Sequence, residues 1–368
     1  MKILVTGGAG FIGSHLVDKL IDKHEVTIYD NFEPQVHKSE PDYLNTDAAL
    51  IKADVRDKNS LKNAVIDSDI IFHEASMVGV GQSMYQIERY MDVNTFATAK
   101  LLDILVNEEH NVKKLVVASS MSIYGEGGYK CDDCGIVNPS LRPEKQLKSR
   151  QWEMICPKCG KIVKPIPTDE NKPLQPTSIY AISKRDQEEM SLVTGRAYGI
   201  PTVALRYFNV YGPRQSLSNP YTGVCAIFSS RIKNNNSPII FEDGLQTRDF
   251  VSVHDIVAAN VLVMEKSRAD YEMFNVGTGS PISILDIASI LNDLYGKDMK
   301  PNVVNKYRSG DIRHCYADTT KLRRLGFKPS VSLKDGMKEL VSWGENQEAE
   351  DRSNVAFEEL KERGLVEQ

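Results

Sequence analysis

The chain has 368 residues, 41% hydrophobic and 26% charged, with a formal net charge of −5. That length can bury a sizeable core and suggests two domains, or one large α/β domain with an appended lobe. The negative balance argues against a nucleic-acid binder, which needs clustered Lys and Arg, and no apolar run approaches the ~20 residues that span a bilayer.

From the start, KILVTG reads as a strand that leads straight into glycines and leaves no room for a signal peptide, so a cytoplasmic protein is expected. There follow FIGSHLVDKLIDK, EVTIYD, LIKADV, LKNAVID, DIIFHEA, NTFATAKLLDILVNE and KKLVVASS, in which short β-branched runs alternate with helical patterns. Such alternation implies βαβ units and a parallel sheet covered on both faces. After Tyr124-Gly125 the rhythm stops, and a stretch rich in Pro, Lys and Cys intervenes. It resumes with the helical SIYAISKRDQEEMSLVTGRAYG and the strand TVALRYFNV, so the cysteine stretch is an insertion. Beyond Pro213 a mix of helices and short strands reads as a smaller lobe interleaved with the last strands of the sheet. The charged tail from Glu345 carries a weak helical pattern and is expected to fray or pack peripherally.

Gly7, Gly10 and Gly13 form GxxGxxG between a strand and a helix, with Phe11 and Ile12 opening that helix. Glycines there let the backbone approach a pyrophosphate seated on the helix N-terminus, the signature of a Rossmann dinucleotide site. The next strand ends at Asp30-Asn31, where a carboxylate can accept hydrogen bonds from ribose hydroxyls and repel a 2′-phosphate, favouring NAD over NADP. The same pair could simply be turn chemistry at a strand end. Asp54-Val55 closes the third strand and is a candidate adenine contact.

Tyr180 and Lys184 stand one helical turn apart on one face, so the ammonium can stabilise a phenolate and draw the phenol toward neutrality. Ser119-Ser120, at the end of an earlier strand, can bring a hydroxyl to the same substrate oxygen. Arg248 and Arg308 are candidate clamps for a substrate diphosphate, although surface arginines look the same in sequence.

Two CxxC pairs, Cys131/Cys134 and Cys156/Cys159, occupy the insertion. Their spacing matches a structural four-thiolate zinc site that would supply the folding energy of a flap with no core of its own. Two redox dithiols or four unligated thiols are the alternatives. Because both ends of this zinc-ribbon-like flap join catalytic elements, it is expected to border the substrate pocket, with Arg142, Lys148, Arg150 and Trp152 as candidate rim residues. Cys225 and Cys315 read as inert buried thiols. The expected organisation is therefore a doubly wound Rossmann domain at 1–125 and 166–212, an insertion at 126–165, a C-terminal α/β substrate lobe at 213–344, and a tail at 345–368.

Taken in order, TGGAGFIG, HEAS, SSMSIYG, YAISK, RYFNVYGPR, RDFVSVHD and RSGD resemble the extended short-chain dehydrogenase/reductases that act on nucleotide sugars. The resemblance implies Tyr180 as base, Lys184 on the nicotinamide ribose and Ser120 as partner. It also implies Ala75, Asn94 and Ser119 near the cofactor, Ser122 and Asn209 on the sugar diphosphate side, and Arg248, Arg308 and Asp311 around the nucleotide. Two positions depart from the family: Val78 stands where many hexose epimerases carry Lys, and Glu74 where an apolar residue is usual. The insertion directly after YG is most similar to the members that epimerise dTDP-L-rhamnose at carbon 4. UDP-hexose 4-epimerisation, 4,6-dehydration and a redox-sensing NAD-binding regulator are the rival readings. Related dehydratases place an Asp-Glu pair after the residue matching Ser120, whereas this chain has Met121 and Ser122. Pairing through helices around Phe96–Val106 and Tyr180–Tyr198 would make the protein a homodimer; covering the sheet would use the same faces.

Overall fold

A computed structural model describes residues 1–367; Gln368, the end of the expected tail, lies outside the described residues. The centre is a seven-stranded parallel sheet of β1 (Lys2–Thr6), β2 (Glu25–Asp30), β3 (Ala49–Lys52), β4 (Ile70–His73), β5 (Lys114–Ser120), β6 (Thr202–Tyr207) and β7 (Met273–Val276). Their order is β3-β2-β1-β4-β5-β6-β7. Side chains alternate along each strand, so both faces need cover. On one face Ile3, Val5, Phe72 and Val116 pack with Leu16 and Leu20 of helix Phe11–Ile21 and with Ile256 and Val263 of helix Val253–Glu265. On the other, Leu4, Ile71 and Leu115 meet Leu61 and Val65 of helix Lys58–Ile66 and Leu101 and Leu105 of helix Ala97–Asn107.

The strand order reverses between β1 and β4, which opens a crevice at their C-terminal ends. A second lobe, built on Phe228, Ile232, Phe250, Ile287, Met337 and Leu340, stands beside that crevice. Among the described residues no helix is long and apolar enough to cross a membrane.

The insertion is a three-stranded antiparallel sheet of Gly135–Val137, Gly128–Cys131 and Lys164–Ile166. Contrary to the sequence expectation, it has a small core of its own, in which Tyr129, Val137, Met154 and Val163 pack around Cys131 and Cys156. The tail departs from expectation as well. It forms helix Ser353–Glu362, and Phe357 stacks on Phe241 of the second lobe at 6.0 Å. Glu359 accepts hydrogen bonds from Tyr85 (2.8 Å) and Tyr221 (2.5 Å). Spacing in a charged stretch could not show these contacts, because their partners come from three distant segments.

Candidate active site

Local backbone geometry builds the floor of the crevice. Gly7 has φ +71°, which a side chain rarely adopts, and a Cβ on Gly13 would lie 2.2 Å from the Gly7 carbonyl oxygen. The turn is therefore a bare cradle at the start of helix Phe11–Ile21, as a pyrophosphate requires. Asp30, nearly buried, accepts from the backbone N–H of Ala9 (3.0 Å) and of Phe32 (2.8 Å). Each carboxylate oxygen keeps a free lone pair beside the turn. Asn31 donates to Asp54 at 2.8 Å, which fixes the rim of the same crevice.

A single cavity of about 660 Å³ runs from this cradle into the second lobe. It is lined by Gly7, Gly10, Phe11, Ile12, Gly13, Asp30, Asn31, Asp54, Val55 and Ala75 at one end. Ser119, Ser120, Ser122, Tyr180 and Lys184 line its middle, and Asn209, Arg248, Arg308 and Asp311 its far end. Asn94 is the exception among the expected site residues. It is fully buried in a π-helical segment, Met91–Phe96, where it accepts from Met77 N–H (2.8 Å) and donates to Met77 C=O (3.1 Å) and Ser183 Oγ (2.9 Å). It holds the loop after β4 from behind and does not reach the cavity.

Ser178 caps helix Ile179–Tyr198 by accepting from Ala181 N–H, which sets Tyr180 in the first turn and Lys184 one turn on. The Lys184 ammonium donates at 2.8 Å to the carbonyl of Ala118, two residues before Ser120 in β5. Burial lowers its pKa to about 8, against the opposing charge of Glu74. Burial pushes the Tyr180 phenol upward and a hydrogen bond with Ser120 pulls it back, whereas the sequence reading expects the neighbouring cation to draw it down. In this state the cation is engaged by a backbone carbonyl and is not spent on the phenol.

Arg248 donates to the carbonyls of Thr247, Ile312 and Arg313, so its guanidinium is braced by backbone. Arg308 donates to Asp311 at 2.8 Å and lies over the Phe241 ring at 4.6 Å. The Oδ1 of Asn209 is buried and has no hydrogen-bond partner among the described residues. Met77, Val78, Val80 and Met121 also line the cavity. Residues that sequence reasoning did not place here include Tyr207, Phe357 and Leu360. Tyr207 carried a weak signal, an aromatic at a strand end, and the tail residues carried none.

No residue of 126–165 lines the cavity, so the flap does not border it directly. Its contact is one layer behind. Buried Arg142 makes a two-pronged pair with Glu242 (2.7 and 2.9 Å) and donates to the Asp311 carbonyl (3.2 Å), and both acceptors belong to cavity-lining residues. Trp152 is buried against Leu147 and Tyr307, while Arg150 and Lys148 form outward ion pairs with Glu367 and Glu144. Cys225 and Cys315 are buried, as expected. The four flap thiols have ligand atoms all within 4.8 Å of one another, with 3.5 Å between the Cys131 and Cys159 sulfurs. Four thiolates around a zinc at ~2.3 Å stand about 3.8 Å apart, so the cluster has the size of such a site.

A sequence model described as the NAD dependent epimerase/dehydratase family matches residues 3–144 and 155–277. The chain belongs to this family. The unmatched gap, 145–154, falls inside 126–165. This family member is 37% identical over 348 residues to a dTDP-L-rhamnose 4-epimerase from Burkholderia thailandensis, covering 93% of this chain and 94% of the relative. Among solved structures, the UDP-glucose 4-epimerase of Thermotoga maritima with UDP-glucose matches with TM-score 0.77 and 33% identity, covering 93% and 98% of the two chains. A UDP-glucuronic acid 4-epimerase from Bacillus cereus, in complex with UDP-glucuronic acid and NAD, matches with TM-score 0.77 and 28% identity over 94% and 99%.

Proposed function

We propose that this protein is an NAD-dependent 4-epimerase of nucleotide sugars acting on a dTDP-6-deoxyhexose such as dTDP-L-rhamnose. The observation that carries the reading is the convergence of Ser120, Tyr180 and Lys184 in the middle of one cavity, with no carboxylate in the two positions after Ser120. Gly7, Gly10, Phe11, Ile12 and Gly13 would cradle the cofactor pyrophosphate, Asp30 and Asn31 the adenosine ribose, and Asp54 and Val55 the adenine. Ala75 and Ser119 flank the path to the nicotinamide end, and Asn94 supports it through Met77. When bound, NAD supplies the two-electron acceptor and donor. Tyr180 takes the proton of the carbon-4 hydroxyl as that carbon is oxidised, while Ser120 holds the same oxygen. After the sugar turns its other face to the cofactor, Tyr180 returns the proton as carbon 4 is reduced, so the product is an isomer. Asn209, Ser122, Arg248, Arg308 and Asp311 hold the sugar diphosphate and nucleotide.

Elimination at carbons 5 and 6 needs a base and an acid beside carbon 4. Met121 and Ser122 are neither near neutral pH. The dTDP-sugar preference is supported by the Burkholderia relative and by an apolar wall of Met77, Val80 and Met121, suited to a methyl at carbon 6. A UDP-hexose substrate is the second reading, favoured by the UDP-sugars in the matching structures. Turnover across dTDP-, UDP- and GDP-sugars in heavy water separates these. The expected product is an epimer of unchanged mass without deuterium at carbon 5; loss of 18 mass units, or deuterium at carbon 5, refutes epimerisation.

The four flap thiols would hold one structural Zn2+, whose chemistry is to fix the loops and not to bind substrate. A homodimer through helices Ala97–Asn107 and Ile179–Tyr198 is favoured by Phe96, Val193 and Tyr198, each at least 60% exposed. Light scattering at micromolar concentration should give twice the chain mass; a monomer overturns the pairing. A cytoplasmic setting agrees with unpaired cysteines.

A further inference from the structure

The reaction proposed above leaves Glu74, a half-buried acid of the same cavity, without a role. Glu74 follows β4 at the point where the strand order reverses, next to the glycine cradle, and lines the cavity together with Ser120, Tyr180 and Lys184. Its carboxylate is not a free surface group. Oε1 accepts from the Tyr207 hydroxyl at 2.8 Å, and that oxygen in turn accepts from Asn260 Nδ2 at 2.7 Å. Asn260 is fully buried and anchored in helix Val253–Glu265, so the second lobe's side of the sheet fixes the acid's position. A charged side chain placed at a cavity floor in this way costs stability unless another charge compensates it.

The compensating charge is Lys184. Its ammonium donates to the neutral carbonyl of Ala118 on β5, and because His73 at the end of β4 is the register partner of Val117, the next residue, Glu74, emerges beside Ala118. The titratable groups facing this part of the cavity are few. His73, on β4, is fully buried between Thr6 and Thr98, and burial holds its pKa to about 3, so it stays neutral. Tyr207, on β6, is pushed well up by burial and then by Glu74. Tyr180, on its own helix, is likewise raised by burial. Farther back, Glu188 is committed to Arg206 and to the Ser119 hydroxyl. Glu74 and Lys184 thus act on each other: burial raises Glu74 to about 7, with Tyr207 and then Lys184 opposing, and burial lowers Lys184 to about 8, with Glu74 opposing.

We propose that Glu74 is a positioning residue for the epimerisation, a counter-charge that keeps Lys184 in its ammonium form within the active cavity. The inference rests on the reading of Lys184 as part of the reacting group. It also accounts for an acid where the family usually has an apolar residue: deep burial would otherwise leave Lys184 partly neutral at the working pH, with no cation in the middle of the cavity. The sign follows from linkage. Lys184 carries its charge below its own pKa, and removing the Glu74 charge lowers that pKa, so activity should be lost at a lower pH on the alkaline side.

Glu74→Gln is the decisive variant, because the amide oxygen still accepts from Tyr207 and only the charge goes. Two readouts apply: the alkaline limb of kcat against pH, and the titration of Lys184 followed by NMR of 13Cε-lysine in the purified protein, assigned with Lys184→Met. The expected result is a downward shift of both by about one pH unit, the scale of one neighbouring charge acting in a poorly solvated site, with Glu74→Asp close to wild type. Unchanged midpoints in Glu74→Gln overturn the proposal, leaving Glu74 a merely structural partner of Tyr207. If Glu74→Gln does not fold, the wild-type NMR titration decides: a Lys184 midpoint at or above 10.4, the ordinary lysine value, refutes it, and one near 8 that Glu74→Asp leaves in place upholds it. Wild-type turnover in Lys184→Met would instead sink the underlying reading of the reacting group, which keeps the two failures distinct.

Discussion

Replacing Arg142 by Met tests whether the flap braces the nucleotide end of the cavity. Arg142 is 1% and Glu242 3% exposed, and their two-pronged contact spans 2.7 and 2.9 Å. The substitution also strands the carbonyls of Trp152 and Asp311. Removing one partner of a buried pair typically costs ~3–5 kcal/mol, since the other charge stays buried. Here Arg313 still reaches Glu242 at 3.0 Å, which places the cost at the lower end, ~3 kcal/mol. An unfolding entropy of about 2.1 cal/mol/K per residue gives ~0.8 kcal/mol/K for 368 residues, so Tm should fall by about 4 °C. Adding Glu242→Leu should restore much of that loss, because an apolar pair of similar volume is often as stable as a buried ion pair. Since Glu242 and Asp311 line the cavity, KM for the nucleotide sugar should rise in the single variant with kcat little changed. Calorimetry with steady-state kinetics reads both. A single variant melting within 1 °C of wild type with unaltered KM would refute the brace.

Tyr180→Phe should retain the fold and bound cofactor while turnover falls by roughly two to four orders of magnitude, the usual worth of a general acid/base group; near-normal turnover excludes it as the base. Protein purified with reducing agent should carry one zinc per chain by elemental analysis, and Cys131→Ser should lose it. In that variant, protease should cut within 126–165 well before the parallel sheet opens, because the sheet has its own core on both faces. Metal-free protein with all four flap thiols reactive would remove the zinc assignment.

The sequence by itself determined the doubly wound sheet, and of the catalytic, cofactor- and substrate-binding residues it named all but Asn94 line the cavity. Those features are written in local periodicity and in fixed spacings: alternating apolar runs specify strands buried on both faces, and TGGAGFIG and YAISK need only one turn or one helix to act. Four cysteines at metal spacing were legible for the same reason. What the tertiary structure alone decided are the contacts made across long separations. Asn94 proved to be a support behind Met77 because the Met91–Phe96 segment turns its amide inward. The flap sits behind the cavity, since Arg142 finds Glu242 a hundred residues away, and the charged tail returns to close the cavity through Phe357 and Leu360. The charge state of the reacting group also lay outside the sequence. Helical spacing brings Lys184 near Tyr180, but burial raises the phenol and lowers the amine, and the opposing carboxylate of Glu74 arrives from a different strand. Periodicity fixes which face a residue takes; desolvation and long-range pairing depend on everything packed against that face.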